Sequence, residues 1–82
     1  MDKILVTFYL PSIDSQYDML VTINMKVKSL INLIQNTIVE ETNGVYKSNT
    51  NAVLVNSEGK IINSNNIVKF SGLTNGCKVI LY

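Results

Sequence analysis

The sequence contains no histidine, no arginine and no tryptophan, and its only cysteine is Cys77. Without histidine the chain lacks the usual general base near neutral pH and the commonest nitrogen ligand for a metal. The carboxylates offer no substitute, because Asp14, Asp18, Glu40, Glu41 and Glu58 are scattered over turns and the outer side of a helix. The expectation is therefore a protein that is not an enzyme. A lone cysteine excludes an intramolecular disulfide framework and fits a reducing cytosol. Cys77 begins a strand, and its basic neighbour Lys78 points to the other face, so a small, partly buried packing residue is expected there and not a nucleophile. Charge is scarce too: seven lysines against six acidic residues give a net charge of +1, without the basic excess that a nucleic-acid partner requires. No apolar run approaches the roughly 20 residues that span a bilayer. The opening "MDKILVTFYLPS" has no basic n-region and no small-residue cleavage site, so the protein is expected to stay in the cytoplasm without membrane insertion. Glycine-rich phosphate loops are also missing. Glu58-Gly59 and Asn75-Gly76 are simple turns with no G-x-G-x-x-G or G-K-[ST] around them, and no cofactor is expected.

The 82 residues predict a single domain, 1–82, able to bury about 60–65% of its unfolded surface. In "KILVTFYL", Ile4, Val6, Phe8 and Leu10 fall on one side of a strand, with Leu5, Thr7 and Tyr9 on the other. "PSIDSQ" supplies turn chemistry. "YDMLVTIN" then alternates again, which predicts a β-hairpin. The period changes at Val27: Val27, Leu30, Ile31, Ile34 and Ile38 line one side of a helix, while Lys28, Gln35 and Glu41 face away. Asn24 is the expected cap and Asn43-Gly44 the left-handed stop. Beyond it, "AVLVN" is a strand, "SEGK" a tight turn to a short "II", Ile67–Lys69 a helical turn and "CKVILY" a last strand.

One amphipathic helix covers one face of one sheet, so the order ββαββ(β) implies a two-layer α+β domain with a mixed four- to five-stranded sheet. Right-handed crossover makes the first and last strands parallel neighbours in the middle, the β-grasp arrangement. The segment "AVLVNSEGKIINSNNIVKFSGLTNGCKVILY" resembles the ubiquitin superfamily in its order of strand, Gly-Lys turn, short strand, polar loop and closing strand. Within it, "VTFYL", "YDMLV", "VKSLINLI" and "GLTNGCKVILY" resemble the YukD/EsaB-type proteins of bacterial type VII secretion. That resemblance implies a cytoplasmic accessory or regulatory protein whose partners are other proteins, among them a secretion ATPase or membrane components. Conjugated modifiers and sulfur carriers end in Gly-Gly where this chain shows Leu81-Tyr82, so neither conjugation nor sulfur transfer is expected. A generic ubiquitin-like adaptor, a homodimer and a sulfur carrier without its tail remain the alternatives.

If Val79 and Leu81 face the helix, Ile80 and Tyr82 point outward, joined by Leu5, Tyr9, Leu20 and Leu54. These six residues are the expected protein-binding patch, on the face where ubiquitin is recognised. The plainer alternative is that central strands are apolar on both faces whether or not anything binds.

Overall fold

A computed structural model describes residues 2–82. The β-branched and aromatic run at the start forms β1, Lys3–Leu10, which turns through a 3-10 helix at Pro11–Ile13 into β2, Ser15–Thr22. The turn closes because Asp14 adopts the left-handed conformation, φ 47°, which a short polar side chain tolerates. β1 and β2 then pair antiparallel in unbroken register from Lys3 opposite Thr22 to Leu10 opposite Ser15.

Helix α1, Val27–Glu41, buries Val27, Leu30, Ile31, Ile34 and Ile38 as the 3-4 spacing predicts. Its C-terminus is the expected left-handed stop: Asn43 has φ 52° and Gly44 φ 84°, and Gly44 N–H donates to the Val39 carbonyl at 2.9 Å while Asn43 N–H donates to Glu40 at 3.2 Å. This doubly bonded closure satisfies carbonyls that the last turn would otherwise leave open. Two details differ from the sequence expectation. Asn24 does not cap the helix. The capping position is Lys26, without a side-chain bond, and the first amides are satisfied by a distant loop: Val27 N–H donates to the Asn66 carbonyl and Lys28 N–H to the Ser64 carbonyl, both at 2.9 Å. Gln35 does not face away either; it is buried at 3% exposure. Its Nε2 donates to the Asn49 carbonyl at 3.1 Å, and its Oε1 accepts from the Tyr46 hydroxyl at 2.9 Å and from Asn49 N–H at 2.7 Å. Burial of this amide is tolerated because the loop that follows the helix satisfies both of its ends.

Strand β3 is short, Leu54–Val55, and β4 spans Cys77–Leu81. The sheet order is β2-β1-β4-β3, with β1 and β4 parallel in the centre and the other pairs antiparallel, so the β-grasp expectation holds with four strands. The expected "II" strand is reduced to a single bridge between Val55 and Ile61 beyond the Gly59 turn. The helical turn falls at Val68–Phe70, one residue later than the sequence suggests. One continuous core lies between sheet and helix. Val6, Phe8, Leu10, Val21, Val79 and Leu81 supply its sheet side, and Tyr46, Ile62, Val68 and Leu73 close its rim from the loops.

Candidate protein-binding face

The open face of the sheet follows from register, because residues directly opposite on neighbouring strands share a side. Leu5 lies opposite Leu20. The next row across the sheet is Asp18, Thr7 and Lys78, and the row after that is Gln16, Tyr9, Ile80 and Val55, with Ile61 bridged to Val55. Tyr82 extends this end, its backbone exchanging hydrogen bonds of 2.9 and 3.2 Å with Val53.

Five of the six expected residues are on this face. Leu20 and Tyr82 are well exposed, at 65% and 59%, Leu5 is less so, and Tyr9 and Ile80 are half-buried. Leu54 is not there. It pairs with Leu81, which faces the helix, and is 0% exposed within the core. Val55 holds the outward register position instead, opposite Ile80, but at 9% exposure it is itself largely covered. The phase of this strand is hidden because "AVLV" is apolar at every position and alternation has nothing polar to mark the outside. Ile61 was likewise missed, and only its place across the Gly59 turn from Val55 could have pointed to it.

The face is also divided. A polar row separates the Leu5–Leu20 pair from the second group, and within it the Thr7 hydroxyl donates to Asp18 Oδ1 at 2.7 Å. The apolar surface is thus a small pair at one end and a cluster of Tyr9, Ile61, Ile80 and Tyr82 over the largely buried Val55 at the other. Within the cluster, the Tyr9 hydroxyl donates to Asp14 Oδ1 at 2.8 Å, which fixes the ring against the hairpin turn. This bond raises the Tyr9 pKa above its ordinary 10.0; desolvation and the negative charge of Asp14 act in the same direction. The phenol stays neutral at physiological pH and offers a polar tip on an apolar body, a common combination at interfaces. Cys77 pairs with Val6 on the helix side, half-buried against the core, and Lys78 is on the opposite face as expected. Among the described residues no three His, Cys, Asp or Glu side chains come together to hold a metal, and no helix is long and apolar enough to cross a membrane.

No family model matches the sequence, and no curated protein matches it. Solved structures do. The ubiquitin-like domain of EccD5 from Mycobacterium xenopi is similar with a TM-score of 0.80, at 11% identity, over 100% of this chain and 94% of that one. A chain of the MycP5-free ESX-5 inner membrane complex gives 0.81 at 11% identity, over 100% of this chain, which spans 21% of that one. The ubiquitin-like domain of the Arabidopsis thaliana protein At2g32350 gives 0.71 at 24% identity, over 100% and 78% of the two chains. Together with the central parallel β1–β4 pair and the single helix across the sheet, these likenesses give the chain the ubiquitin-like β-grasp fold.

Proposed function

We propose that the chain is a protein-binding module that works by docking and not by catalysis, as a cytoplasmic accessory or regulatory component of bacterial type VII secretion. The observation that carries this reading is the open-face cluster of Tyr9, Ile61, Ile80 and Tyr82, of which Ile61 and Tyr82 are 69% and 59% exposed. Aromatic side chains with hydroxyl tips around aliphatic ones suit the fully desolvated centre of a protein interface. The secretion assignment is supported by likeness in shape to a domain of EccD5 and to part of the ESX-5 inner membrane complex, together with the sequence resemblance to YukD/EsaB-type proteins. Partners of the same machine, such as its ATPase or membrane components, follow from that assignment.

The test is capture from the native cytosol and from detergent-solubilised membranes with immobilised wild-type protein and with Ile80→Asp. Secretion-machine components should be retained by the wild type and lost with the variant. Equal capture by both would remove the cluster from the interface, and capture of unrelated proteins alone would remove the secretion assignment.

A further inference from the structure

A second surface has a chemical character of its own. Several backbone contacts meet around the N-terminal end of α1. Ile23 N–H donates to the Asp2 carbonyl at 2.9 Å, Lys69 N–H to Ile23 at 3.0 Å and Val68 N–H to Met25 at 2.8 Å. Lys26 is bridged to Ile67, and Lys28 N–H reaches Ser64. Segments bonded in this way run about 4.8 Å apart, so Lys3, Lys26, Lys28 and Lys69, all exposed, share one end of the molecule. Within the bonded segments 2–3, 22–28 and 64–70, the one acidic residue is Asp2. Glu40 and Glu41 lie at the opposite end of α1 and Asp14 at the far end of the β1–β2 hairpin, while Glu58 and Lys78 line a cleft with Ser71 and Gly72 that borders this surface. Four lysines against one carboxylate on these bonded segments make this end basic in a chain whose net charge is only +1.

The same end carries Phe70, 70% exposed, and Lys69 Nζ sits 5.2 Å from the centroid of its ring. An ammonium over an aromatic face is favourable, and it places a cation beside an exposed apolar ring. We propose that this end docks an acidic segment of another protein. Its carboxylates would meet Lys26, Lys28 and Lys69, and an adjacent aliphatic or aromatic side chain would cover Phe70. Charge complementarity selects the acidic partner, and the Lys69–Phe70 pair selects one whose acid stands next to an apolar residue. A lipid headgroup layer matches this less well, because a single ring adds little insertable area and Asp2 lies within the patch. The surface is separate from the Ile80 cluster, so the two can be tested independently.

The experiment titrates the 15N-labelled full chain with a peptide alternating Asp or Glu with Leu or Phe. The controls are the same peptide with serine in place of each acid, and vesicles of phosphatidylcholine and phosphatidylserine. The acidic peptide should shift the amides of Lys26, Lys28, Lys69 and Phe70, and its affinity should fall as salt is raised. Phe70→Ala and Lys69→Ser, both at exposed positions and each checked for wild-type melting, should weaken it by about fivefold. Ile80→Asp should leave it unchanged. Equal affinity for the serine peptide, indifference to Phe70→Ala and Lys69→Ser, or binding to vesicles without binding to the peptide would each overturn the proposal.

Discussion

At the scale of single residues, strand alternation sets neighbours to different tasks. Val79 is buried under the helix, and Ile80 is half-buried on the open face. Val79→Asp places an unpaired carboxylate in the core at a cost of about 3–5 kcal/mol, comparable to the whole stability of a small domain. Ile80→Asp should cost about 1 kcal/mol or less. Thermal melting of both variants should show the first unfolded and the second folded; the reverse would mean that the register of β4 is wrong. Gln35 is the other decisive residue. Replacing it with alanine leaves the buried Tyr46 hydroxyl and the amide of exposed Asn49 without their partner, and the buried unsatisfied group alone costs about 1–3 kcal/mol. Gln35→Ala should lower the urea midpoint, and hydrogen exchange should quicken at Asn49 before it changes in the sheet. The side of Ile80 and Val79 was legible in the sequence because β4 continues from a clear turn and alternates with Lys78. Leu54 was not, since an all-apolar strand carries no phase, and Gln35 was not, since a polar residue on a helix is buried only by partners that lie elsewhere in the chain.

At the scale of elements, the two ends of α1 contrast. The C-terminal stop is local, written in Asn43-Gly44, and was legible for that reason. Gly44 has φ 84°, with open space where a Cβ would stand, so the cost of a side chain there is one of backbone conformation alone. Gly44→Ala should destabilise by about 1–2 kcal/mol, read as a lower melting temperature with unchanged helical circular dichroism. The N-terminal end has no such signature. Its amides are held by carbonyls from residues 64 and 66, nearly forty positions away in sequence, and no local motif announces a cap made of tertiary backbone. The fourth expected strand failed in the opposite sense. "II" has β propensity, but only Ile61 finds a ladder position, while Ile62 turns into the core and donates its N–H to Leu54 at 2.8 Å.

At the scale of the whole molecule, titration of the tyrosines ties the fold to pH. Burial raises the Tyr46 pKa above 10.0, and the bond to Asp14 raises that of Tyr9. Both shifts favour the neutral phenol in the folded state. Their contribution is therefore fully present below the unfolded value of 10.0 and is lost as pH rises through the higher folded values. Melting temperature should fall more steeply above pH 10 in the wild type than in Tyr46→Phe, which starts lower for want of the bond to Gln35. The chain order of the sheet has a mechanical consequence as well. β1 and β4 run parallel side by side, so tension applied between the start of β1 and the end of β4 acts along their shared ladder, and its hydrogen bonds are loaded together in shear. Tension applied between Lys3 and Thr22, which face each other at one end of the β1–β2 pair, peels that ladder one bond at a time. In single-molecule pulling, the first geometry should yield at several times the force of the second, which makes the domain stiff along one line and weak along another.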